Sequence, residues 1–155
     1  DLSKSSKKTS RELINEALSL HSQGNIKEAS KNYKSLVEEG ISDPIVFSNY
    51  GMILRDLGRL NEAEVLTRKA IKIKPNYPEA HCNLGSVLKD LGKLEEAIFS
   101  FRKAINLKSN YHIAIAEMGY VLLKQGKYKD GIKKIREANG SIVFDLTVPK
   151  MRISS

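Results

Sequence analysis

A 34-residue self-similarity constrains this chain more than any other feature. Residues 78–111, PEAHCNLGSVLKDLGKLEEAIFSFRKAINLKSNY, fall on residues 44–77, PIVFSNYGMILRDLGRLNEAEVLTRKAIKIKPNY, when shifted back by one period. Gly51 aligns with Gly85, Leu57-Gly58 with Leu91-Gly92, Ala63 with Ala97, and Lys69-Ala70-Ile71 with Lys103-Ala104-Ile105. One period further lie Gly119, Gly126 and Ala138, and one period back from Gly51 lie Ala17, Gly24 and Ala29. A fixed spacing of this length marks a repeat array, in which each unit buries its apolar face against the next.

The spacing has a mechanical reading. Each unit holds two apolar-periodic segments of about a dozen residues, which is the pattern of two amphipathic helices. Small residues recur where those helices must approach closely: Gly51, Gly85 and Gly119 in the first, Ala63, Ala97 and Gly131 in the second. Gly24, Gly58, Gly92 and Gly126 sit where a helix ends on a left-handed residue. Pro44 and Pro78 open the next first helix, where a missing N–H costs nothing. The pattern predicts an all-α solenoid of four helical hairpins, at 10–43, 44–77, 78–111 and 112–140, with helices at 11–22 and 26–39 in the first. Residues 1–9, DLSKSSKKT, read as a flexible basic tail. In 141–155 the pattern changes, because Asn139-Gly140 signals a turn and SIVFDLTVP is β-branched without helical period. That segment reads as extended. It either folds back over the open end or pairs with a second copy, or it begins a further domain.

The residues Leu84, Gly85, Leu88, Gly92, Ala97, Phe101 and Ala104 resemble the tetratricopeptide repeat pattern, and the second unit, ending in Pro75, repeats it. The resemblance covers roughly residues 10–145. It implies a right-handed superhelix whose first helices line a concave groove and whose second helices face outward. The outer units depart from the pattern, with Leu36 and Ile41 replacing the usual small residue and Pro in the first. Gly131, Ile135 and Val143 depart in the last. Degenerate ends are expected of units that cap a stack.

Bulk properties narrow the function classes. With 41% hydrophobic and 28% charged residues the composition is that of an ordinary globular protein. No apolar run approaches the ~18 residues of a membrane span, and the reading is cytoplasmic. The net charge of +8 gathers on second helices: Arg68, Lys69, Lys72, Lys74, Arg102, Lys103, Lys133, Lys134 and Arg136. Such a face is either a solvated convex surface or a non-specific contact for nucleic acid or anionic lipid. Few aromatics interleave it, so single-strand stacking is not indicated.

Catalytic patterns are thin. Gly92-Lys93 and Gly126-Lys127 resemble the end of a phosphate loop, but Val87 and Val121 stand where its first glycine belongs. His21, His81 and His112 fall at unrelated repeat positions, so neither a metal site nor a cofactor is expected. Cys82 reads as a small packing residue rather than a nucleophile. The reading is that of a non-enzyme.

One polar residue does keep the period. Asn15, Asn49 and Asn83 are 34 residues apart, each two positions before the small residue of a first helix. Stacked units would set three carboxamides in a row on the inner side, each offering one acceptor and two donors to an extended peptide backbone. The row resembles the asparagine ladder of the O-linked N-acetylglucosamine transferase repeat domain. In the fourth unit Glu117 takes the position and ends it. Met52, Arg55 and Asp56, then Ser86, Lys89 and Asp90, then Tyr120 share the same face and would tune selectivity, with Ser48 and Cys82 beside them. The Lys, Asn and Arg clamp by which a related family holds chaperone C-termini is absent, since only Asn49 matches it. A second reading of the ladder is structural, with each Asn bonding the neighbouring helix and fixing the stacking. The functional expectation is a protein-interaction module holding a peptide segment in its groove. Two alternatives remain: the targeting or oligomerising arm of a larger bacterial transferase or oxygenase, and a basic scaffold for membranes or nucleic acid.

Overall fold

The structure, a computed structural model, describes residues 8–140. Eight α-helices and no strand are found among them: α1 Ser10–Ser22, α2 Ile26–Glu38, α3 Pro44–Asp56, α4 Leu60–Ile73, α5 Pro78–Asp90, α6 Leu94–Leu107, α7 His112–Lys124 and α8 Tyr128–Ala138. These are the four helical hairpins that the period predicts. The readings of 1–7 as a tail and of 141–155 as an extended segment lie outside the described residues.

Local chemistry fixes the helix ends. Gly24, Gly58, Gly92 and Gly126 all adopt φ between +75° and +76°, the left-handed exit that lets α1, α3, α5 and α7 reverse into their partners. Asp43 caps α3 by accepting from the backbone N–H of Ile45 at 2.8 Å and of Val46 at 3.0 Å, with Pro44 at the first helical position. The first helix begins one residue earlier than expected, and Thr9, assigned above to the basic tail, is its N-cap. Glu12 Oε2 accepts from the Thr9 N–H at 2.7 Å while Thr9 Oγ1 accepts from the Glu12 N–H at 3.3 Å. This reciprocal capping box orders a residue whose composition alone reads as disordered.

Within each unit the small residues permit close approach. A Cβ built on Gly119 would meet the Gly131 carbonyl oxygen at 2.9 Å, so α7 and α8 come nearly into backbone contact there. Apolar side chains then form two clusters along the array. One gathers Tyr33, Leu36, Val46, Ile53 and Leu54 from the first two units, the other Leu88, Ile98, Phe101, Met118 and Val121 from the last two. Ile71 packs against both, so burial continues through the joint between the second and third units.

Which side is concave follows from the contacts. First helices of successive units touch one another, α3 with α5 and α5 with α7, whereas second helices of successive units scarcely meet. The shorter arc therefore runs along α3, α5 and α7. The second helices splay apart on the outside.

Candidate functional site

The inner face is built from the residues at the Asn positions and their neighbours one turn away. Asn83 is half-buried, and its Nδ2 donates to Ser48 Oγ at 2.9 Å, across the joint between α5 and α3. Asn49 makes the corresponding reach backward, its Nδ2 donating to the Tyr33 hydroxyl at 3.4 Å. Tyr33 is fully buried, its ring edge-on to His21, and burial pushes its phenol pKa up, so it stays a neutral hydroxyl at physiological pH. Asn15, in the first unit, makes no side-chain hydrogen bond among the described residues and is exposed. The Oδ1 atoms of Asn49 and Asn83 accept no bond among the described residues, and neither is sealed from solvent. Each carboxamide is thus held by one N–H, and its oxygen and second N–H remain without a partner among the described residues.

The charged candidates form ion pairs across the joints between units. Arg55 Nε donates to Asp90 Oδ2 at 2.6 Å and its guanidinium lies 3.7 Å from Asp56. Lys89 Nζ donates to Glu117 Oε2 at 2.5 Å. Arg55, Asp90, Lys89 and Glu117, expected to tune selectivity, are thus paired with one another across the joints. Ser86, expected on the groove surface, is buried, as is Cys82. Burial pushes the Cys82 thiol up to about 11, which removes the thiolate that nucleophilic chemistry would need. Met52 is half-buried and Tyr120 exposed. On this face the charged side chains are internally neutralised, and Asn15, Met52 and Tyr120 keep exposed surface beside the two bonded carboxamides.

Sequence reasoning missed Tyr33 and Ser48 as the partners that orient the ladder. It also missed the ion pairs, which join residues 35 and 28 positions apart. Charge alternation between neighbouring units at Arg55, Lys89, Asp90 and Glu117 was the available signal. Reading it needed the offset between stacked units, which the period alone does not supply.

Three cavities lie away from this face. One of about 480 Å³ opens between α2, α3 and α4 over Val37, Tyr50, Leu54 and Val65. Its equivalent one period on, of about 520 Å³, lies over Ile71, Leu84, Leu88 and Phe99. A third, of about 540 Å³, has Val37, Ile41, Phe47 and Ile73 beneath Lys69 and Lys72. All three lie where second helices splay, and none is lined by the Asn positions. Among the described residues no group of three or more His, Cys, Asp or Glu side chains is placed to hold a metal ion, and no helix is long and apolar enough to cross a membrane.

Residues 51–92 match the TPR repeat family model and residues 78–111 the tetratricopeptide repeat model, so the central part of the chain consists of tetratricopeptide repeats. Neither model is that of a catalytic domain. No curated protein sequence matches the chain. Among solved structures, the crystal structure of MamA is similar with a TM-score of 0.75 and 19% identity, over 84% of this chain and 77% of that one. YrrB, described as a TPR protein with an unusual peptide-binding site, is similar with a TM-score of 0.73 and 18% identity, over 84% of this chain and 67% of that one. An O-GlcNAc transferase mutant from Thermobaculum terrenum gives a TM-score of 0.68 and 23% identity, over 73% of this chain and 22% of that one.

Proposed function

We propose that this chain is a peptide-binding module that holds an extended segment of another protein against Asn49 and Asn83 in its concave groove. The observation that carries the reading is the bond each carboxamide makes to the preceding unit, to Tyr33 and to Ser48. A side chain anchored at one N–H loses less rotamer freedom when a ligand engages the rest, so recognition by its oxygen and second N–H is preorganised. One acceptor and one donor per unit match the C=O and N–H of an extended backbone. Because Arg55, Lys89, Asp90 and Glu117 neutralise one another, the ligand is recognised through its backbone and apolar side chains rather than through charge. The peptide-binding site of the similarly folded YrrB supports this use of the fold.

A display selection with random peptides, followed by titration of the selected sequence, tests the reading. Asn83→Ala and Asn49→Ala should each weaken binding about fivefold, the equivalent of about 1 kcal/mol for one hydrogen bond. Tyr33→Phe is the control, since it removes the anchor while leaving the Asn49 carboxamide in place. N-methylation of the peptide backbone should also weaken binding. Unchanged affinity in both alanine variants, with helicity and melting intact, would refute the groove.

A second reading has an observation of its own. The O-GlcNAc transferase that resembles this array is far longer, with only 22% of its chain matched. As the targeting or oligomerising arm of a larger bacterial enzyme, the array would present the same groove to a substrate protein. The mass of the native gene product separates the two readings.

A further inference from the structure

The outer side of the array is bridged at two joints and open at the first. Between the second and third units, Lys93 Nζ donates to Glu64 at 2.8 Å and Arg68 donates to Glu96 at 2.9 Å. Between the third and fourth, Gln125 Nε2 donates to Glu95 Oε1 at 2.7 Å. One period before the doubly bridged joint, Lys34, Arg59 and Glu62 stand where Arg68, Lys93 and Glu96 do, but Ser30 replaces Glu64. Lys34 turns to Glu38 of its own helix at 3.6 Å, and Arg59 turns to Glu62 at 2.6 Å. Among the described residues no ion pair or side-chain hydrogen bond joins α2 to α4.

The unbridged gap is an apolar groove. Phe47, Tyr50 and Leu54 on α3 form its floor, with Val37 of α2 on one wall and Val65 and Leu66 of α4 on the other. The cavities of about 480 and 540 Å³ described above share Val37, so the groove continues from one into the other. Lining residues on α4 run from Asn61 to Ile73, a span of about 18 Å by helical rise. Val65 and Ile73 are 53% and 43% exposed, so α4 offers apolar surface along this whole length. Charge is uneven along the groove. At the Arg59 end, cations and carboxylates neutralise one another. At the Ile73 end, Lys69 and Lys72 have no ion-pair partner among the described residues, and Lys69 Nζ lies 5.8 Å from the centre of the Phe47 ring.

We propose that this outer groove docks an amphipathic helix of another protein, one with an apolar stripe and with carboxylates at the end that meets Lys69 and Lys72. Backbone chemistry selects a helix. The floor is apolar and the charges at the Arg59 end engage one another, so an extended segment would bury N–H and C=O groups without partners. A helix satisfies those groups itself and needs only an apolar face. Charge selects the acidic end, because two cations beside an apolar floor attract carboxylates and repel a basic segment. None of the lining residues is at an Asn position, so this docking is independent of the concave groove.

Two stapled synthetic helices, each about the length of α4, test the docking by fluorescence anisotropy against the full chain. They share one leucine stripe and carry either two Glu or two Lys in the first turn. The Glu peptide should bind about fivefold tighter than the Lys peptide, and Lys69→Glu with Lys72→Glu should reverse that order. Val65→Gln with Ile73→Gln, at two exposed positions, should weaken the Glu peptide about tenfold while helicity is kept. Asn83→Ala should leave its affinity unchanged. The proposal is overturned if neither peptide binds at millimolar concentration, if binding ignores Val65 and Ile73, or if Asn83→Ala abolishes it. Sedimentation and melting of the peptide-free chain address other occupants. A dimer that Val65→Gln with Ile73→Gln disperses would assign the groove to a second copy. A melting point several degrees lower in that variant would assign it to this chain's own residues. Either result overturns the proposal as well.

Discussion

The Asn83 carboxamide donates to the Ser48 hydroxyl at 2.9 Å, and so ties the third unit to the second at the floor of the groove. Ser48 is fully buried, so its oxygen has no water to turn to. Losing this bond through Ser48→Ala removes both a donor's partner and a buried polar group, and should cost about 1 kcal/mol. Asn83→Ala leaves the serine oxygen buried and unpaired, and should cost more, within about 1–3 kcal/mol. Urea unfolding of both single variants and the double variant measures the coupling directly. A coupling below about 0.3 kcal/mol, the usual error of additivity, would mean that the bond contributes nothing in solution.

The ion pairs beside it lead to a different expectation. Lys89 and Glu117 are each mostly buried by the joint they cross, with 15% and 27% of their side chains exposed. Their pairing should contribute up to about 1 kcal/mol and weaken with added salt. Lys89→Met should therefore lower the urea midpoint modestly, and the deficit should shrink at high ionic strength. If Lys89 instead contacts the groove's peptide, the variant will change affinity more than stability. Comparing the two measurements on one preparation decides which role it has.

Much of the fold was legible because the period sets it. Gly85 and Ala97 recur as small residues where helices touch, and Gly58 and Gly92 recur where they end, so hairpin boundaries came out within a residue or two. Thr9 was missed because a capping box depends on one side chain reaching Glu12, not on composition. The site was half legible. The 34-residue spacing of Asn15, Asn49 and Asn83 placed them on one face. Their partners Tyr33 and Ser48 depend on how far each unit is shifted against the next, and that offset is a product of packing. The same offset turned Arg55 and Asp90 from separate ligand contacts into a pair.

Gly85 offers a sharp test of the close approach within the third unit. Alanine is the better helix former by about 1 kcal/mol, so propensity favours Gly85→Ala. Packing opposes it, because the added Cβ would lie 2.7 Å from the Phe101 ring, which is fully buried and has no room to move. Overpacking of this kind costs about 1–3 kcal/mol and should win. The variant should melt lower than wild type. In a Phe101→Leu background the same change should cost less, and an equal cost in both backgrounds would place the clash elsewhere.

Glu64 ties the second unit to the third from the outer side, accepting from Lys93 Nζ and from Arg68, both at 2.8 Å. Burial alone would raise its pKa, but the hydrogen bonds from Lys93 and Arg68 outweigh it and hold the carboxyl below its ordinary value of 4.5. In the unfolded chain the group protonates near that ordinary value, so the folded state holds fewer protons as pH falls through it. The stabilisation is fully present above pH 4.5 and is lost as pH drops toward the folded value. Glu64→Gln cannot titrate and should be less stable than wild type at pH 7. The gap between the two urea midpoints should stay constant down to the ordinary carboxylate range and close below it. A gap that persists unchanged to about pH 3, below any ordinary carboxylate pKa, would assign the effect to packing rather than charge.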